Sequence, residues 1–266
     1  MGWRMLRGIY TAASGLLANQ EQLDITANNI ANATTNAFKR DLLVHLAAPN
    51  LSISRIEGMD RVPEPGRPMM EAEPVGVLST GITDSEVFTD FAQGALVETG
   101  RNLDLAIQGP GFFVLLTPQG LRYTRAGNFT LSADGTLISP QGFPVLGEQG
   151  PILIQGQRVE VGRDGMVVVD GAEVDRLRLV EFANPQGLVK EGGTLYRDEG
   201  TAGLRRDGRS VVVSGALEQS NVSTVDELVG LIVNLRQFET GQRAIRAYDE
   251  TLERAASRVG LVAPAG

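Results

Sequence analysis

Two close acidic pairs, Asp84 with Glu86 and Glu98 with Asp104, have the residue types that general acid–base catalysis uses. Proximity along a chain does not make a cleft, and the ordinary state of such acids is a solvated surface. His45 is the only histidine. It stands in the apolar stretch Leu42, Leu43, Val44 and Leu46, with no second imidazole to share a metal ion or a triad. The chain has no cysteine, which removes thiol nucleophiles, thiolate metal sites and disulfides. Gly109-Pro110-Gly111 lacks the third glycine and the following helix of a dinucleotide loop, and reads as a tight turn before a strand. Asp-Gly pairs at 134, 164, 170 and 207 lack the acidic spacing of a calcium loop. The expectation is no catalytic residue, no cofactor and no bound metal.

Charge narrows the partners. A formal net charge of -8 opposes a phosphate-binding face, which needs an excess of Lys and Arg, so no nucleic-acid partner is expected. Of the 24 basic residues only Lys39 and Lys190 are lysines, a bias read as compositional and without functional content. Arg4 and Arg7 precede a mildly apolar run, Gly8 to Ala18, but Tyr10, Thr11 and Ser14 interrupt it. The pattern then continues with helical period, so the run reads as helix and not as a cleaved signal peptide. No segment approaches the roughly 20 apolar residues that span a bilayer, and no direct membrane insertion is expected.

With chemistry scarce, the elements themselves become informative. Ile9, Ala13, Leu16, Gln20, Leu23, Ala27 and Ile30 alternate in steps of four and three, the spacing of a thin coiled-coil seam on a helix over about 3–33. A second helix is expected over 224–259, capped by Ser223 or Thr224, with Asp226 and Glu227 in its first turn. Its stripe runs through Val225, Leu228, Ile232, Leu235, Phe238, Gln242, Ile245, Tyr248 and Leu252. Between the helices, short apolar runs alternate with turn dipeptides: 112–116, 128–131, 152–154, 166–169, 177–182 and 211–213. Such spacing predicts an all-β sandwich or barrel-like domain. Residues 47–81 hold Pro49, Pro63, Pro65, Pro68 and Pro74, so regular structure there is expected to be broken or short.

The fold class expected is therefore a mainly β middle domain, sandwich- or barrel-like, with long N- and C-terminal α-helices forming a coiled-coil-like assembly region. The division expected is 1–40 N-terminal assembly helix and motif, 41–83 extended linker or arm, 84–220 β-rich outer domain and 221–266 C-terminal assembly helix.

Three segments decide the reading. The first is Ala27-Asn-Asn-Ile-Ala-Asn-Ala-Thr-Thr-Asn-Ala-Phe-Lys39. The second is Gly94-Ala-Leu-Val-Glu-Thr-Gly-Arg-Asn-Leu-Asp-Leu-Ala-Ile-Gln-Gly-Pro-Gly-Phe-Phe113, whose glycines permit turns and whose Phe pair enters the β core. The third is Gly215-Ala-Leu-Glu-Gln-Ser-Asn-Val222, with Arg236-Gln-Phe-Glu239 and Tyr248-Asp249. Together, and in this order, they resemble the axial proteins of the bacterial flagellum, the rod and hook family. The resemblance covers nearly the whole chain except about 41–80. Ala37 departs from the glycine that often precedes Phe-Lys in that family, which suggests a less strained backbone at this point.

The resemblance implies terminal helices packed around a central channel, a β domain outside them and a mechanical function in the basal body. It implies export across the cytoplasmic membrane, without a cleaved signal peptide, by the flagellar export apparatus. Partners would be copies of the chain, other rod and hook proteins, and bushing rings. Length and a single β middle suit a rod protein, distal in type, better than the hook protein, and the scarcity of catalytic motifs argues against an enzyme. Residues expected to carry self-assembly are Ile9, Leu16, Leu23 and Ile30, with Asn28, Asn29, Asn32 and Phe38 at the motif. On the second helix they are Leu228, Ile232, Leu235, Ile245 and Leu252. For the asparagines two readings stand, a polar stripe that sets register or a helix cap and stop. Alternatives are a hook or hook-junction subunit, or a secreted adhesin or binding module.

Overall fold

The computed structural model describes residues 2–48, 51–57, 71–78, 81–205 and 210–259. Among them the architecture is mostly β, with one α-helix at each end: α1 (Gly2–Ala31) and α2 (Thr224–Val259). The bounds of α2 are those expected, because its start is written locally. The Ser223 hydroxyl accepts the Asp226 N–H at 3.4 Å, and Asp226 and Glu227 lie in the first turn, where they complement the positive end of the helix dipole.

Strands β1 (Asp41–Ala47), β2 (Leu51–Glu57), β3 (Glu71–Leu78) and β4 (Ile82–Thr89) follow α1. Next come β5 (Leu96–Glu98), β6 (Leu105–Gln108), β7 (Phe112–Thr117) and β8 (Gly120–Thr124), then the short β9 (Thr130–Leu131) and β10 (Leu137–Ile138). The series continues with β11 (Val159–Val161), β12 (Met166–Val169), β13 (Ala172–Arg176) and β14 (Leu179–Phe182). It closes with β15 (Leu188–Glu191), β16 (Leu195–Asp198), β17 (Leu204–Arg205), β18 (Val211–Ser214) and β19 (Ala216–Glu218). One six-stranded sheet has the order β15-β16-β8-β7-β14-β17, and a three-stranded sheet the order β11-β12-β13. Ribbons pair β1 with β4, β2 with β3, β5 with β19, β6 with β18 and β9 with β10.

The run Phe112 to Leu115 is continuously apolar because β7 is covered on both faces. Phe113 and Leu115 enter one core with Leu105, Phe129, Ile152 and Val167. Phe112 and Val114 enter the other with Tyr123, Val180, Phe182 and Tyr196. Phe113 meets Phe129 edge to face at 5.1 Å. Each fully buried Phe stabilises by about 1.5–3 kcal/mol, so β7 anchors both cores. Between β12 and β13, Asp170 and Gly171 adopt φ of 50° and 85°, the left-handed pair that a two-residue hairpin of this twist requires.

Two expectations need correction. Where the proline-bearing region is described, at 51–57 and 71–78, it is regular: β2 and β3 are seven and eight residues long and pair antiparallel along their length. Pro74 is tolerated because it faces Ser54 where the register shifts after Ile53, and a bulge accommodates a residue that lacks a donor. Pro49, Pro63, Pro65, Pro68 and the Asp207-Gly208 turn lie outside the described residues. Residues 152–154 form no named strand. Ile152 and Ile154 are buried all the same, with Leu153 held by a single bridge to Thr136.

The chain forms two compact units. One holds the described residues of Met1–Ile25, Leu43–Val87 and Gly230–Gly266, and the other Thr26–Leu42 and Phe88–Val229. Within the first, a Cβ on Gly241 would lie 2.7 Å from Leu16 Cδ2, so the glycine lets α1 approach α2 closely. The second unit contains both apolar cores.

Candidate functional site

Among the described residues no group of three or more His, Asp or Glu side chains is placed to hold a metal ion. Asp84 and Glu86 are exposed on β4. Glu98 is exposed, whereas Asp104 is buried and accepts the Thr99 hydroxyl at 2.7 Å, so the two carboxyls do not share a site. His45 Nδ1 lies 3.2 Å from Ser85 Oγ, a pairing local to the β1–β4 ribbon. No described helix is long and apolar enough to cross a membrane.

The helices present the first notable surface. Val225, Leu228, Val229, Ile232, Val233 and Leu235 are between 44% and 70% exposed. Spaced by three and four residues, they form an apolar band along the first three turns of α2. The band is wider than the seam drawn from sequence, which omitted Val229 and Val233. Further along, Phe238, Ile245 and Leu252 are half-buried. On α1, Leu16, Leu23 and Ile30 are half-buried, while Ala18, Thr26 and Asn29 are the fully buried positions, beside the seam. The side chain of Ile9 lies outside the described residues.

The asparagines serve different ends. The Asn32 side-chain amide donates to Asn28 O at 2.9 Å, and Thr35 Oγ1 donates to Asn32 Oδ1 at 3.2 Å. These bonds close the end of α1 and favour the helix-stop reading for Asn28 and Asn32. Asn29, 1% exposed, pairs with the main chain of Asp41: Nδ2 donates to Asp41 O at 2.9 Å, and Asp41 N–H donates to Oδ1 at 3.0 Å. Its amide thereby mimics a strand partner for the first residue of β1. Phe38 is fully buried, with Lys190 Nζ 3.9 Å above its ring. Asn29 and Phe38 thus face the interior of their own chain and shape it from within.

The junction where the three sequence segments meet is the second notable feature. Lys39 Nζ donates to Glu218 Oε1 at 2.5 Å and to Ala92 O at 2.7 Å. Glu218 Oε1 also accepts the Gly94 N–H at 2.9 Å, and Oε2 accepts Arg125 Nε at 2.9 Å. Arg125 Nη1 and Nη2 donate to Gly111 O and Ile107 O. The main chains interlock as well: Ala37 N–H donates to Glu218 O at 2.8 Å, and Asn221 N–H to Phe38 O at 3.3 Å. Asn221 Oδ1 accepts the Arg40 N–H at 2.8 Å while its Nδ2 donates to Asp90 O and Ala92 O. Arg40 pairs with Glu227 in the first turn of α2 at 2.5 Å. Lys190 donates to Lys39 O at 2.8 Å and to Asp41 Oδ2 at 2.7 Å.

Burial sets the electrostatics of this junction. Desolvation holds Lys39 below its usual pKa, against the pull of Glu218 in the other direction. Burial likewise lowers Lys190, opposed by its hydrogen bond to Asp41. Tyr196 is pushed far up, first by burial and then by Asp41, and its hydroxyl meets no hydrogen-bond partner among the described residues. Ala37, 1% exposed, adopts φ of 55°. The backbone here is left-handed although the residue is alanine, which corrects the expectation of a relaxed one. An alanine held in this region is strained by roughly 1–2 kcal/mol.

Arg125 and Lys190 had no assigned role in the sequence reading, and Lys39, Glu218 and Asn221 entered it only as letters of a motif. The usable signal was the lysine count, because both lysines of an arginine-rich chain sit in this one junction.

Comparison with known proteins agrees with this organisation. Residues 9–39 match the family described as flagella basal body rod protein, which includes the first motif. Residues 106–169 match the flagellar hook protein FlgE/F/G D1 domain, and residues 213–258 the flagellar basal body rod FlgEFG protein C-terminal family. The flagellar basal-body rod protein FlgG of Bacillus subtilis is 35% identical, over 94% of this chain and 97% of its own length. FlgF, a flagellar basal-body rod protein of Caulobacter vibrioides, is 32% identical over 97% of this chain and 100% of its own. The flagellar hook-basal body complex protein FlhO of Bacillus subtilis is 27% identical over 97% and 100%. With identity at this level along nearly the whole length, and the motifs of both chain ends joined in one buried junction, the chain belongs to the flagellar basal-body rod protein family.

Proposed function

We propose that the chain is a structural, non-enzymatic subunit of the bacterial flagellar basal-body rod, distal in type, that polymerises into the axial shaft carrying torque to the hook. The observation that carries this reading is the exposed apolar band on the first turns of α2. A contiguous apolar face on a 36-residue helix calls for a partner helix, and copies of the chain and related rod and hook proteins offer one. Heterologous contacts of this kind extend into an open helical polymer. In this reading 1–40 and 221–266 pack as a coiled-coil-like assembly region through Leu16, Leu23, Ile30, Leu228, Ile232, Leu235, Ile245 and Leu252. Residues 41–83 then act as an arm, and 84–220 as a sandwich- or barrel-like outer domain. The names of the relatives favour a rod over a hook subunit.

The same reading takes the chain to the basal body through the flagellar export apparatus, without a cleaved signal peptide, with bushing rings as further neighbours. Support comes from the Gly8–Ala18 run, which continues inside α1, and from a cysteine-free sequence that is indifferent to redox compartment. The test is electron microscopy of basal bodies from a strain lacking this chain. A truncated rod with no hook or filament is the expected result, and intact flagella would overturn the proposal.

A further inference from the structure

Glu218 divides its bonds between the segment that leaves α1 and the β-rich middle of the chain. Its main-chain oxygen takes the Ala37 N–H, Oε1 takes Lys39 Nζ and the Gly94 N–H, and Oε2 takes Arg125 Nε. Neither terminal segment satisfies this junction alone. Without residues 37–41, Glu218 keeps Arg125 as its counter-charge but its Oε1 is left with the Gly94 N–H alone, and Asn221 loses Arg40 N–H and Phe38 O. Without residues 216–221, Lys39 becomes a buried ammonium whose only remaining bond is to Ala92 O. A buried charge left without its counter-charge is disfavoured far more strongly than the complete pair is favoured, so half-docked states are suppressed.

The geometry also selects lysine. Lys39 has one carboxylate oxygen and one carbonyl to bond, and the other oxygen of Glu218 is already held by a guanidinium. A second planar fork at position 39 would meet Arg125 without two acceptors to match it. Lys190 is held in a similar way, with Lys39 O and Asp41 Oδ2 as separate acceptors and the Phe38 ring beside its ammonium.

We propose that Lys39, Glu218 and Arg125, extended by Lys190 and Asp41, form a two-ended latch. Through it, the segment leaving α1 and the segment entering α2 dock onto the β-rich unit in one cooperative step. The latch is intramolecular and does not depend on polymerisation, so it can be tested on the isolated chain.

Hydrogen–deuterium exchange of the full-length protein reads it directly. Lys39→Met, a change in the N-terminal segment, raises exchange at least tenfold in peptides covering both 32–41 and 216–229, and leaves β7 and β12 unchanged. Glu218→Gln produces the same joint response from the other end. Lys39→Arg behaves like Lys39→Met. Should these variants lose the β-rich fold, Lys190→Met reads the same coupling from the rim of the junction. A response confined to the mutated segment would overturn the cooperative latch, and a Lys39→Arg chain with wild-type exchange would overturn its requirement for an amine.

Discussion

Lys39 and Glu218, 179 positions apart in the chain, form a 2.5 Å ion pair with both side chains fully excluded from solvent. Glu218→Gln leaves Lys39 charged and buried without its counter-charge and lowers the unfolding free energy by about 3–5 kcal/mol, whereas Lys39→Met leaves Glu218 paired with Arg125 and costs less. The combined variant loses less than the sum of the two, with a coupling of at least about 1 kcal/mol. Urea denaturation of the four proteins measures the cycle. Strict additivity would show that the pair contributes nothing as a pair.

Tyr196 gives the protein an alkaline limit. Its folded pKa is raised above the usual 10.0, chiefly by burial, so above pH 10 the native state holds a proton that the unfolded chain releases. Its contribution is complete below pH 10 and declines above it, by up to about 1.4 kcal/mol per pH unit. Lys39 and Lys190 act oppositely: their folded pKa values are lowered from 10.5, so their contribution rises with pH up to that value. Tyr196→Phe isolates the tyrosine. The variant is at least as stable as wild type at pH 7, because the phenol hydroxyl has no described partner, and its advantage widens above pH 10. An advantage that stays constant from pH 8.5 to 11 would contradict the assignment.

Ala37 tests the backbone at the same junction. Glycine there relieves about 1–2 kcal/mol of left-handed strain. It also gives up about 0.8 kcal/mol of methyl burial and about 0.4–1 kcal/mol of unfolded-state entropy. Ala37→Gly is therefore neutral within about 1 kcal/mol by calorimetry. Ala37→Val, branched at Cβ and buried, destabilises by about 2 kcal/mol or more. A valine variant that melts with wild type would mean that the local φ is not held.

Assembly and folding separate on α2. Ile232 is 52% exposed, so Ile232→Asp changes the stability of the free chain by no more than about 0.5 kcal/mol yet abolishes swimming in soft agar. Val229→Asp does the same. Leu16→Asp differs, because Leu16 packs on Gly241 within its own chain, and both stability and motility fall. Normal swimming by the Ile232 variant would remove the apolar band from the assembly surface.

Helices and tight turns were legible in the sequence because their determinants are local. Ser223, Asp226 and Glu227 write the start of α2 within five residues, and Asp170-Gly171 writes the β12–β13 hairpin in two. Strands β2 and β3 were not legible, since the prolines of 47–81 argue against strands until the bulge at Val75, next to Pro74 in β3, is known. The junction was hidden for a different reason. No local pattern announces that Lys39, Arg125 and Glu218 share one buried site, because the pairing is created by the fold. Its trace in the sequence was indirect, in the two positions where arginine is not used. The exposed band on α2 was partly legible: a strict heptad rule found Val225, Leu228, Ile232 and Leu235, and missed Val229 and Val233 on the flank.

The seclusion of both lysines has a practical consequence. The Lys39 side chain is fully covered and that of Lys190 is 16% exposed, so amine-directed reagents find little to label among the side chains of the folded chain. Acylation at Lys39 then becomes a clock for the opening of the junction. Because Lys190 is the one other side-chain amine of the chain, mass spectrometry can read that clock against little surface labelling.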